Sequence, residues 1–346
     1  MPNLFRNARE KRLRAFWRLL LHYTLYSYLS TVLVIVSSLV FLAVSEGTVI
    51  DMGTGASRST SPALFMSGYV ASLVAALASV WLAGRFLDRR PFSGFGLRPD
   101  RAWWPDFCFG LALGAVLMTA VFFVELAVGW ITITGAFEIV GEGSSFALSI
   151  LFVLVAFVCV GFYEELLSRG YQLQNMAEGL NFPSLGPKGA VLLAWALSST
   201  IFGLLHLRNP GASLASTSNI AIAGLFLGAG YVLTGRLAIP IGLHITWNFF
   251  QGNVFGFPVS GIGPIGATFV SIEQGGPLLL TGGTFGPEAG LLGTTAMTVG
   301  SLLIWLWVRA RHGEATIQTS IADPPINKTQ DAKVLNDNYY DISRDS

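Results

Sequence analysis

Fifteen residues without a charge, Phe146 to Val160, run straight into Gly161-Phe162-Tyr163-Glu164-Glu165-Leu166-Leu167-Ser168-Arg169-Gly170. Two adjacent carboxylates and an arginine thus fall on one apolar helix that is long enough to cross hydrocarbon. A charge at the middle of a membrane helix costs roughly 2.5–3.5 kcal/mol on insertion scales, so residues placed there have partners or a task. Whatever this chain folds into must answer those three charges from inside a bilayer.

The rest of the sequence repeats the apolar pattern. Candidate spans lie at about 24–44, 64–84, 107–130, 146–176, 189–206, 219–235, 239–256 and 289–308. Only 12% of residues are charged, about half the share of a soluble domain. The fold class is therefore all-α, a polytopic membrane helix bundle of about eight transmembrane helices, whose first partner is the lipid bilayer. A net charge of +1 speaks against nucleic acid. Two cysteines, Cys108 and Cys159, sit in separate apolar runs and read as small core residues.

Nineteen of the 21 Lys and Arg residues fall on one side of this arrangement, with Arg58 and Arg208 on the other. By the positive-inside rule both termini are expected in the cytoplasm. Residues 1–23 read as a basic interfacial arm, 24–312 as the transmembrane bundle and 313–346 as a disordered polar tail. The Gly/Pro-rich stretch 257–288, which has no Lys or Arg, reads as an external loop. Gly110/Gly114 and Gly224/Gly228 have the small-xxx-small spacing of close helix contacts.

Few polar residues interrupt the spans. Glu165 and Arg169 are separated by four positions, acid before base, and stack on one helix face. Glu164 is turned about 100° from that face and needs a partner from another helix. Two of the four histidines, His206 and His244, lie in spans, the second with Asn248 one turn further on. Residues 164 and 206 are equidistant from position 185, inside a Pro/Gly-rich turn, so an antiparallel hairpin would bring them to one depth. Phe202 and Trp247 read as packing walls. Glu125, His22 and His312 read as interfacial. An up-and-down bundle leaves one conflict: it would place His206 and His244 toward opposite membrane faces.

A carboxylate, two histidines and an amide in one cavity suit hydrolysis. Glu164 is a candidate general base, His206 a water-orienting proton shuttle, and His244 with Asn248 candidate donors to an oxyanion. Glu164, His206 and His244 are also a chemically reasonable zinc shell, although no H-E-x-x-H is present. Without that metal the site needs no cofactor.

Glu164-Glu165-x-x-x-Arg169, Phe202-x-x-x-His206 and His244-x-x-x-Asn248, in this order, resemble the three motifs of the CPBP family. These are the CAAX-protease and bacteriocin-processing membrane proteins, also called Abi, related to the type II CAAX prenyl endopeptidases. The likeness covers about residues 100–255. It implies an intramembrane endopeptidase of a bacterial plasma membrane, acting on a CAAX-type, lipid-anchored or membrane-bound protein or peptide. It also implies catalytic roles for Glu164, His206, His244 and Asn248, support from Glu165 and Arg169, and glutamate rather than zinc chemistry. Two other readings of the same residues are a proton-coupled transporter, since intramembrane Glu, His and Arg form proton relays, and a non-catalytic immunity or scaffold protein.

Overall fold

The computed structural model describes residues 4–7, 10–44, 62–140 and 145–325. Ten α-helices occur among them: α1 (Ala15–Val44), α2 (Pro62–Ala83), α3 (Trp103–Ala127), α4 (Phe146–Glu165), α5 (Gln174–Leu180), α6 (Gly186–Leu205), α7 (Leu214–Thr234), α8 (Ala238–Phe249), α9 (Leu278–Thr281) and α10 (Leu291–His312). Seven helical segments of the described chain are long and apolar enough to cross a membrane. The protein is an all-α polytopic bundle.

The stretch anticipated as a further span, 239–256, is not among those seven. It forms α8, continued by a π-helical turn at Phe250–Val254. Every residue from Ala238 to Ile245 is buried, and a helix apolar on all sides belongs in the core. The packing of α3 on α8 has a local cause. A side chain at Gly110 would collide with the backbone of Ile239 and Leu243, and one at Gly114 with that of Leu243 and Trp247. Gly224 and Gly228 lie likewise against Ser199 and Trp195 of α6. Small residues let backbones approach where lipid offers no hydrophobic drive.

α4 does not stop at Glu165. A π-helical segment, Leu166–Leu173, joins it to α5, and the chain turns at 181–185 into α6. The hairpin is long because its turn lies about 24 Å along the helix from Glu164, at 1.5 Å per residue. α8 enters from a buried bend: Leu237 is fully buried and its N–H donates to Gly96 O at 3.1 Å. His244 and His206 flank one ring, that of Phe202, at 6.4 Å and 4.9 Å between centroids, so they do not lie toward opposite faces of the bundle.

Several sequence expectations give way to packing. The stretch 257–288, expected as an external loop, carries regular structure of its own. Its strand β4 (Gly266–Gln274) pairs antiparallel with β3 (Ile131–Val140), from Ile131 opposite Gln274 to Val140 opposite Gly266, with a bulge between Ile133 and Gly135. β1 (Arg6–Asn7) and β2 (Arg12–Leu13) pair as a small antiparallel ribbon ahead of α1. Arg12 and Arg18 of the basic arm do not lie on a lipid surface; they are 4% and 2% exposed. Glu178 accepts from Arg12 at 2.6 Å, Arg18 at 3.0 Å and Arg90 at 2.7 Å, while Asp88 takes Arg18 at 2.5 Å. Buried charges of this kind persist only when paired.

The tail departs from expectation in its first part. Gln318 N–H donates to Val232 O at 2.8 Å, and Ile321 and Ala322 are buried against the bundle. Apolar burial therefore orders the chain well beyond Gly313; the disorder anticipated for 326–346 lies outside the described residues. Glu125 is fully buried rather than interfacial, accepting from Gln274 Nε2 at 2.9 Å. His22 is buried too, its ring stacked on Tyr171 at 3.7 Å. Cys159 is buried as anticipated, but Cys108 is exposed on the outer face of α3.

Candidate active site

Between these helices lies a cavity of about 700 Å³, walled mainly by apolar and aromatic side chains. Glu164, His206, His244 and Asn248 all line it. They come from α4, the end of α6, and α8, so three helix contacts must be right at once. One of these contacts depends on Gly161, a turn before Glu165. A Cβ there would come within 2.6 Å of Ile245 Cγ1, so only glycine lets α4 settle this close to α8.

The two glutamates have different surroundings. Glu165 is fully buried and its Oε1 accepts from Arg169 Nη1 at 3.0 Å, as the i, i+4 spacing anticipates. The contact survives although Arg169 lies in the π-helical segment, a distortion that is common near functional sites. Arg169 Nη2 donates to Gly224 O at 3.0 Å, and its guanidinium carbon stands 4.5 Å from the Phe202 ring centroid. Glu164 faces the cavity instead, with its side chain 22% exposed.

His244 touches both acids. Its Nδ1 lies 2.8 Å from Glu165 Oε1, and its Nε2 lies 3.9 Å from Glu164 Oε2. A carboxylate only accepts, so Nδ1 carries a proton and donates. The second separation is too long for a direct hydrogen bond. His206 is fixed in the same sense: Nδ1 lies 2.8 Å from Phe202 O and must donate to it, which turns Nε2 outward. Phe202 is a packing wall between the histidines, with centroids 4.9 Å from His206 and 6.4 Å from His244. Asn248, on the cavity wall, has no hydrogen-bond partner among the described residues.

The candidate zinc shell can be tested on the same geometry. His244 Nδ1 is committed to Glu165 and His206 Nδ1 to a carbonyl, which leaves both Nε2 atoms available in the way metal-bound imidazoles have them. Among the described residues no three His, Cys, Asp or Glu side chains are grouped as a metal would require. Glu164, His206 and His244 share one cavity.

Two neighbours of the site carried little sequence signal. Tyr163 donates to Glu164 Oε1 at 3.2 Å. Adjacent helix positions do not face each other, so nothing in the spacing foretold it. Glu288 also lines the cavity while 3% exposed. Its Oε1 accepts from Ser260 N–H at 2.5 Å and its Oε2 from Gln251. Burial pushes its carboxyl up to about 7, against the pull of those hydrogen bonds.

Fold and site together define a polytopic membrane protein with an acid–histidine–amide cavity enclosed by its helices. Residues 146–250 match the family model described as type II CAAX prenyl endopeptidase Rce1-like. That segment holds all seven motif residues, and the resemblance drawn from them is borne out. No curated protein and no solved structure gives a significant match.

Proposed function

We propose that this chain is an intramembrane endopeptidase that hydrolyses a peptide bond near the membrane in a CAAX-type, lipid-anchored or membrane-bound protein or peptide. The observation that carries the reading is the convergence of Glu164, His206, His244 and Asn248 on one cavity, within the stretch that matches the endopeptidase family. The reading needs no resident cofactor. The aromatic and aliphatic walls suit a lipid chain, and the distribution of Lys and Arg supports cytoplasmic termini.

In this mechanism Glu164 takes a proton from water through Oε2 as the water oxygen attacks the scissile carbonyl carbon. Asn248 Nδ2 donates to the developing oxyanion. His244 can add a second hydrogen bond from Nε2 only when both of its nitrogens are protonated, and Glu165 at Nδ1 supplies the compensating negative charge. His206, held at Nδ1 by the Phe202 carbonyl, takes up at Nε2 the proton that Glu164 removed from water and passes it to the leaving amine, which returns both groups to their starting states. The carbon–nitrogen bond breaks, giving a carboxylic acid and an amine from one water. A positioned base contributes on the order of 100- to 10,000-fold.

Glu164→Gln in the full chain, assayed in proteoliposomes with a farnesylated CAAX peptide, is expected to lose cleavage by that factor while staying folded. Cleavage at the wild-type rate would sink the proposal.

A further inference from the structure

We propose that Tyr163 is a positioning residue for the reaction, holding the Glu164 carboxylate so that one chosen oxygen faces the substrate. This rests on the reading of Glu164 as the base. The carboxylate has two oxygens in different settings. Oε1 accepts from the Tyr163 hydroxyl at 3.2 Å, while Oε2 points to His244 Nε2 across 3.9 Å. The gap at Oε2 leaves that oxygen free to take a water; the contact at Oε1 has no such gap.

Neighbouring helix residues diverge by about 100°, so a hydrogen bond between positions 163 and 164 does not form by default. A long side chain must be bent back across the helix and kept there. The neighbouring helix supplies the restraint. Tyr69 of α2 stacks on Tyr163 with centroids 6.4 Å apart and planes 21° apart, and Phe65 braces Tyr69 edge-on at 4.6 Å. Phe157 and Val160 of α4 complete the apolar packing beside them. The ring is thus clamped between two helices, while its hydroxyl reaches the cavity that Tyr163 and Tyr69 both line.

The consequence is orientational. A free carboxylate in a cavity rotates about its last bond and offers either oxygen. With Oε1 engaged, Glu164 presents Oε2 toward His244, and the reacting water meets one geometry. Tyr163 touches neither water nor substrate in this scheme; it acts through Glu164.

Tyr163→Phe keeps the ring and its stacking and removes only the hydroxyl. It is compared with wild type and Glu164→Gln in the full chain in nanodiscs, using a farnesylated CAAX peptide and infrared spectroscopy. The band lost in Glu164→Gln identifies the Glu164 carboxyl, and in Tyr163→Phe that band is expected to shift, a readout that needs no substrate. Turnover should fall about 10-fold, the worth of a hydrogen bond to a charged group, with KM within about twofold, as for an interaction realised in the transition state. An unmoved band, an unchanged kcat, or a rise in KM alone overturns the inference. If Glu164→Gln is inactive and Tyr163→Phe behaves as wild type, only this inference fails. An active Glu164→Gln removes the endopeptidase reading and this one with it.

Discussion

Glu165 and His244, 79 positions apart in the chain, meet at 2.8 Å between Oε1 and Nδ1. The same carboxylate oxygen holds Arg169 at 3.0 Å. Glu165 is thus the hinge between a local ion pair on one helix and a histidine on another. It sets which imidazole nitrogen carries the proton, and it leaves Nε2 for the cavity.

Replacing Glu165 with Gln should therefore do two things. Arg169, 1% exposed, loses the carboxylate it is hydrogen-bonded to, and breaking a buried pair costs about 3–5 kcal/mol. His244 loses its tether, and a displacement of about 1 Å costs on the order of 100-fold in rate. Thermal unfolding in detergent and peptide cleavage measure the two effects separately. A variant as stable and as active as wild type would remove Glu165 from both roles.

Asn248→Ala removes an amide with no protein partner to lose, so little change in stability is expected. As an oxyanion donor, its loss should lower kcat by about 100- to 1,000-fold. Steady-state kinetics with KM and kcat resolved is the check. A carrier would instead keep proton-driven uptake in proteoliposomes after this substitution.

Glu288 makes stability depend on pH. Its folded-state value of about 7 lies above the usual 4.5 because burial disfavours the charged form. The stabilisation is full below about pH 4.5 and is lost as pH rises through about 7, because the unfolded chain releases the proton first. The displacement corresponds to about 3 kcal/mol. Wild type should lose thermal stability relative to Glu288→Gln between pH 5 and pH 8, to be read from paired melting curves over about three pH units. Parallel curves would refute the assignment.

Glu178→Gln tests the clamp on the N-terminal arm. The charge that answers Arg12, Arg18 and Arg90 would be gone, leaving buried guanidinium groups with less compensation, at a cost of about 3–5 kcal/mol. Faster tryptic cleavage after Arg12 or Arg18 is the expected sign. Cleavage at the wild-type rate would mean that Asp88 and apolar packing hold the arm without Glu178.

What the sequence by itself determined follows from local geometry. Apolar runs of spanning length establish a membrane bundle. The i, i+4 spacing ties Glu165 to Arg169, and a turn centred near 185 makes the α4–α6 hairpin; Gly110 and Gly114 mark a close helix crossing. None of these needs knowledge of distant neighbours, because helix pitch and bilayer thickness are constants of the problem.

Only the tertiary structure decided the rest. A buried charge is invisible until its partner is placed, so Arg12, Arg18, His22 and Glu125 read as interfacial although they lie inside. β3 and β4 pair across more than a hundred residues, and no local period reveals that register. α8 has the composition of a membrane span, and only its packing against α3 and α4 shows how completely it is buried in the bundle. Glu165 and His244 illustrate the division most directly: helix pitch puts Glu165 beside Arg169, but a bond to a residue on another helix exists only because Gly161 lets the two backbones approach.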